Sequence, residues 1–114
     1  MFRFEELEIW RLAVDYAKDC YNIADKFPKH DFGLKDQLRR AGISISNNIA
    51  EGSVGSSLNF KKYVNIAIGS TLESINIINF AFEIKYITEE VKSEMYAKGE
   101  KIIRKARSFS RSLN

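Results

Sequence analysis

The stretch ISISNNIAEG, residues 43–52, decides how this chain is read. Two serines, two asparagines and a glutamate stand among small apolar residues, a composition that suits a loop or an active site as well as a helix. Its surroundings settle the matter. Leu34, Leu38, Ala41, Ile45 and Ile49 recur at steps of three and four, the spacing of one helical face, and the segment is the C-terminal half of a helix expected over 33–51. Arg40, Ser44, Asn47 or Asn48, and Glu51 then recur on that helix as a polar stripe. Gly52 and Gly55 bracket the turn GSVGSS, and Gly52 suits a left-handed helix terminus because it lacks Cβ.

Outward from this segment the same period continues. Leu7, Trp10, Val14, Ala17, Tyr21 and Ala24 predict a first helix over 4–27, widened by Ala13, Cys20 and Phe27 and stopped by Pro28, since the residue before proline avoids helical geometry. Asp31 is the expected N-cap of the second helix and Ser56 or Ser57 of the third. Phe60, Val64, Ala67, Thr71, Ile75, Ile78 and Phe82 predict the third over 57–87. Tyr63, Ile66, Ile77, Phe80 and Ile84 lie off that stripe, and a helix apolar on most sides is buried on most sides. It therefore predicts a self-association surface, or else a central position in a monomer. Thr88 caps a fourth helix over 89–112, with Glu89 and Glu90 facing the positive end of its dipole and Val91, Met95, Ile102, Ala106, Phe109 and Leu113 turned inward. Gly99 marks a close helix crossing. Short connections predict an all-α, up-down-up-down four-helix bundle forming one domain over 1–114.

Composition narrows the function classes. The chain has 114 residues, with 45% hydrophobic and 29% charged, the balance of a soluble globular protein. No basic stretch followed by an apolar run opens the chain, so no signal peptide is expected. The segment 63–82 carries Glu73 as its only charge, but six polar residues interrupt it and no membrane span is expected. A single cysteine allows no intramolecular disulfide; Cys20 reads as a small buried hydrophobe, and a cytoplasmic location is expected. One cysteine and one histidine leave no zinc pattern and no di-iron set, and GSVGSS lacks the Lys-Ser/Thr ending of a phosphate loop. No catalytic, metal or cofactor residues are assigned, and a non-enzyme is expected.

Two polar constellations remain. Arg40, Ser44, Asn48 and Glu51 on the second helix face Ser70 and Glu73, beside Gly69, on the third. A partly buried Glu51 there needs donors, which Arg40, Asn48 or Ser70 supply. The structural reading is a hydrogen-bonded seam that fixes register; the functional reading is a ligand or acid/base site. The last helix is rich in cations, and Lys101, Arg104, Lys105 and Arg111 form a broad outward band suited to phosphates. The same residues also suit a solvated helix face and the negative end of its dipole. The net charge of +3 leans mildly toward polyanionic partners, and association with nucleic acid, RNA first, through basic residues of the second and fourth helices is the expectation.

The segments QLRRAGISISNNIAEG (37–52) and FKKYVNIAIGSTLES (60–74) resemble the bacterial four-helix-bundle family known as the 23S rRNA intervening-sequence protein family. Gln37, Arg40, Ser44, the run Asn48 to Gly52, Phe60, Ala67, Gly69, Ser70 and Glu73 carry the likeness. FEELEIWRLAVDYAKDCYNIADKFP (4–28) also fits, with Trp10 and the Phe27-Pro28 ending. Gly42 and Ser74 depart from the pattern and bear on local packing. The resemblance implies a four-helix bundle without enzymatic activity. It also implies kinship to accessory proteins of diversity-generating retroelements, which form basic homopentamers implicated in binding nucleic acid and a reverse transcriptase. The expected partners are thus further copies of the chain, five chains in all, with nucleic acid and a reverse transcriptase or other protein beyond them.

Overall fold

A computed structural model describes residues 1–114. A 3-10 turn over Arg3–Glu6 precedes four helices: α1 (Glu8–Asp25), α2 (Phe32–Gly52), α3 (Ser57–Glu83) and α4 (Glu89–Ser112). Three of the four starts are capped as their sequences indicate. Asp31 Oδ1 accepts from the Leu34 N–H at 3.1 Å, Ser56 Oγ from Asn59 at 3.2 Å and Thr88 Oγ1 from Val91 at 3.2 Å.

Neighbouring helices run antiparallel. Arg39, in the first half of α2, pairs with Asp25 at the end of α1, and Gly42 at the middle of α2 lies against Cys20. Ser44 meets Ser70 while Glu51 meets Tyr63, and Phe60 at the start of α3 packs on Phe109 near the end of α4. Lys105 reaches Glu8 and Lys98 reaches Asp19, which closes α4 onto α1. The result is an up-down-up-down bundle of 45 × 21 × 21 Å. α2 packs most extensively, on both α1 and α3, while α1 and α4 touch over a smaller area.

The main core runs between α1, α2 and the inner face of α3, from Ile9 and Tyr16 to Leu38, Ile45, Ile49 and Ile78. A smaller cluster of Phe60, Val64, Ile68, Ile103 and Ala106 joins α3 to α4. Burying side chains of this size is the main favourable contribution, roughly 1.5–3 kcal/mol for each large one.

Four features differ from the sequence reading: two helix boundaries, one buried face and the conformation of one glycine. The first helix does not start at residue 4: Leu7 is extended, with φ −87° and ψ 130°. It thereby sets its side chain against both core clusters, while Phe4 folds edge-on to Trp10 with ring centroids 5.3 Å apart. The buried face of α1 is also turned. Ile9, Ala13, Tyr16, Cys20, Ala24 and Phe27 are inside, whereas Trp10 and Val14 are half-buried and Tyr21 is exposed. Small residues at 13, 17, 20 and 24 let α2 come close, which the larger Trp10 and Tyr21 would prevent.

α3 stops at Glu83, short of the expected residue 87. Lys85 adopts φ 68°, its N–H bonds the Phe82 carbonyl at 2.9 Å, and the Tyr86 N–H bonds the Ala81 carbonyl at 2.8 Å. These paired bonds close the helix end and satisfy two carbonyls that would otherwise lack partners. Gly52 is not left-handed, since no glycine has positive φ. It is the last residue of α2, and a Cβ there would lie 2.6 Å from Tyr63 Cβ and 2.9 Å from Phe60 Cδ1. Its smallness serves the α2–α3 crossing.

Candidate nucleic-acid interface

α4 is polarised along its length. Its first half carries Glu89, Glu90, Glu94 and Glu100 against Lys92 and Lys98, and its second half carries Lys101, Arg104, Lys105, Arg107 and Arg111 with no acid. At about 100° per residue, Lys101, Arg104, Ser108 and Arg111 fall in one strip on the side turned from the core. All four are exposed, and none of the three cations has an ion-pair partner within the chain. They extend over about 15 Å of helix at 1.5 Å per residue.

Lys105 differs from the other three sequence candidates. Its ammonium sits 3.0 and 3.1 Å from the two Glu8 carboxylate oxygens and is only half-exposed. It is an α1–α4 tie whose charge is already answered. Lys98 is held likewise by Asp19 at 2.8 Å, and that hydrogen bond keeps its pKa above the ordinary lysine value.

The antiparallel order adds residues that the linear reading of α4 left out. α3 starts where α4 ends, so Lys61 and Lys62 join the basic end of the bundle. Arg3 comes there too, its guanidinium 5.1 Å above the Phe60 ring. In sequence Lys61 and Lys62 only open an apolar helix, and the useful signal was the pairing of a helix start with the following helix end in an up-down bundle. Arg107 is exposed on the flank of α4 that looks toward α3. Cations from three segments thus share one end.

The polar residues of α2 and α3 divide into separate contacts. Ser44 Oγ and Ser70 Oγ share a hydrogen bond of 2.9 Å, and Asn48 Nδ2 donates to the Ser44 carbonyl at 2.8 Å and to Ser44 Oγ at 3.0 Å. Arg40 is exposed and turns back to Asp36 on its own helix at 2.8 Å. Glu51 is exposed, not partly buried, and accepts from the Tyr63 hydroxyl at 3.2 Å in place of Arg40, Asn48 or Ser70. The reason is angular: Glu51 and Arg40 lie on the outer flank of α2, beyond the line that meets α3. Glu73 is exposed and forms no ion pair within the chain. No acid/base pair converges here.

A buried polar link that the sequence did not disclose lies deeper. The Tyr16 hydroxyl is 2.8 Å from Ser74 Oγ, and Ser74 donates to the Thr71 carbonyl at 2.7 Å, so Tyr16 donates to Ser74. Burial pushes the Tyr16 pKa well above the ordinary phenol value, keeping the donor protonated. Cys20 is fully buried, and the same cause, with Asp19 nearby, pushes its thiol up to about 12. No cluster of three His, Cys, Asp or Glu side chains is placed to hold a metal ion. No helix is long and apolar enough to cross a membrane.

The family described as 23S rRNA-intervening sequence protein matches residues 5–108. No curated protein matches the chain. Among solved structures, a protein of unknown function from the S23 ribosomal protein family of Bacteroides thetaiotaomicron VPI-5482 superposes with a TM-score of 0.84 at 22% identity, covering 90% of this chain and 97% of the other. At that identity the likeness speaks for the fold, and it agrees with the four-helix bundle. Both descriptions are of proteins without a stated catalytic activity.

Proposed function

This chain belongs to the 23S rRNA-intervening sequence protein family, and from that premise we propose that it is a non-enzymatic, self-associating bundle that binds nucleic acid through the basic end of α4. The observation that carries the reading is the strip of Lys101, Arg104 and Arg111, exposed and unanswered by any carboxylate of the chain. Unpaired cations release counterions from a phosphate backbone on binding, whereas paired ones first have to give up their partners. RNA is the preferred ligand, and five copies is the number that the family resemblance implies.

An electrophoretic shift with single-stranded and duplex RNA and DNA at low salt tests it. Binding that weakens with added salt and is weaker in the triple variant Lys101→Glu, Arg104→Glu, Arg111→Glu supports the reading. No shift at low salt, or an undiminished shift with the triple variant, sinks it. Lys105→Glu is expected to weaken binding less than Arg104→Glu, because Lys105 is already engaged by Glu8.

A second reading is a protein-interaction scaffold, for instance for a reverse transcriptase. It draws on the two α4 lysines held in ion pairs and on the suitability of cations for a helix C-terminus. Affinity capture that returns a single protein after nuclease treatment, with no shift of any nucleic acid, favours it.

A further inference from the structure

α3 keeps an apolar face that the bundle does not cover. Leu58, Ile66, Leu72, Phe80 and Ile84 are exposed, Leu58 by 80% and Phe80 by 52%. At about 100° per residue the first four lie within roughly 60° of the direction opposite Phe60 and Ile78, with Ile84 following at the C-cap, so they form a ridge along the outside of the helix, interspersed with the exposed polar residues Lys62, Asn65, Glu73 and Asn76. Single exposed apolar residues are ordinary, but an aligned set marks an interaction surface.

Gly69 stands at the middle of that ridge. Glycine is the poorest helix former after proline, and it needs a reason in a helix interior. At Gly42, Gly52 and Gly99 the reason is internal, since a Cβ would press on Cys20, on Tyr63 and on Ile75. At Gly69 a Cβ would meet nothing within 4 Å. The chain itself gives no cause for a glycine there, but a second backbone arriving from outside does.

The receiving surface is a groove between α1 and α2. Val14, Ala17, Tyr21 and Ile43 line about 390 Å³ of mainly apolar space, with Lys18 at the rim. Tyr21 and Ile43 are 44% and 40% exposed. Lys18 has no ion-pair partner within the chain, and neither do Glu73 and Glu83 on the ridge. Both surfaces expose large apolar side chains and carry free charges of opposite sign in Lys18 and Glu73, and they lie on different faces of the bundle.

We propose that the α3 ridge of one copy seats in the α1–α2 groove of the next, with the backbones closest at Gly69 and Lys18 facing Glu73, one turn along the ridge. This rests on the self-association stated above and specifies its contact. Joining two different surfaces makes the contact heterologous, so it repeats from copy to copy and closes as a ring when the rotation permits. Two ridges packed face to face would leave the groove uncovered.

Sedimentation of the full chain at micromolar concentration tests the contact with two variants. Gly69→Gln blocks the ridge where the structure leaves room for the new side chain. Ile43→Glu blocks the groove, and Tyr21→Glu replaces it if circular dichroism shows that Ile43→Glu is unfolded. Each variant alone is expected to be monomeric, and an equal mixture is expected to form a pair of two chains, because each partner retains one intact surface. A monomeric wild type, a groove variant that assembles like wild type, or a mixture that stays monomeric overturns the proposal. An assembled wild type that shifts no nucleic acid removes the binding function and leaves the contact standing.

Discussion

At the scale of single residues, the polar atoms that matter to stability are those that burial isolates from water. Ser74→Ala leaves the Tyr16 hydroxyl buried without an acceptor, so it is expected to lower stability by about 1–3 kcal/mol, read from urea denaturation. Tyr16→Phe removes the donor while Ser74 keeps its bond to the Thr71 carbonyl, so a cost nearer 1 kcal/mol is expected. Equal effects would contradict the donor assignment. Glu51→Ala, at an exposed site, is expected to stay within about 0.5 kcal/mol of wild type; a larger loss would mean that its bond from the Tyr63 hydroxyl counts for more than an exposed contact should. Cys20, buried and with its thiol pushed up to about 12, is expected to resist alkylation at pH 8 until the chain unfolds. Asp31 behaves oppositely: the Tyr86 hydroxyl, 2.8 Å from its Oδ2, and the Leu34 N–H hold its pKa below the ordinary value. Its contribution is therefore full above the unfolded value of about 3.9 and fades as pH falls through the lower folded value. Asp31→Asn is expected to flatten that acid limb of the stability curve. The Tyr16–Ser74 link was not legible in sequence, because its partners are 58 positions apart and each reads alone as an ordinary helix residue. Glu51 misled for a related reason: recurrence at helical spacing fixes a shared face but not how far that face turns toward its neighbour.

At the scale of elements, all four helices were legible, because each carries an apolar repeat and three begin at a side-chain cap. Their ends were less so. The apolar period of α3 runs on into Tyr86 and Ile87, but the chain turns at Lys85 so that Tyr86 can pack on Phe27, ring centroids 5.4 Å apart, and bond Asp31. A lysine at positive φ is strained by about 1 kcal/mol or more relative to glycine. Lys85→Gly is therefore expected to raise the denaturation midpoint, a gain of about 0.5–1 kcal/mol. An unchanged or lower midpoint would show that the left-handed turn is not strained. Gly52→Ala tests the α2–α3 crossing in the other direction. Helix propensity favours alanine by about 1 kcal/mol, yet the new Cβ would press on the Cβ of Tyr63 and the ring of Phe60. A net loss of about 1–3 kcal/mol is expected, whereas a gain would mean that the crossing has slack.

At the scale of the whole molecule, the bundle's topology was legible from short connections and four amphipathic repeats, but its surface was not. Which cations stand free depends on how helices meet. Lys105 and Lys101 look alike in sequence, and only the closure of α4 onto α1 gives Lys105 to Glu8 and leaves Lys101 exposed. Antiparallel order likewise brings Arg3, Lys61 and Lys62 to the end where α4 finishes. The apolar ridge of α3 and the groove between α1 and α2 are a property of the same order, since both are what four helices leave uncovered when each has buried one stripe. Binding through the free strip has a quantitative signature. The most direct measurement is the slope of log affinity against log salt for single-stranded RNA, taken by fluorescence anisotropy for wild type and for the Lys101→Glu, Arg104→Glu, Arg111→Glu variant. Each phosphate contact contributes about 0.7 to that slope, so wild type is expected to be steeper than the variant by about 2. Equal slopes for the two proteins would contradict a phosphate-binding role for this surface.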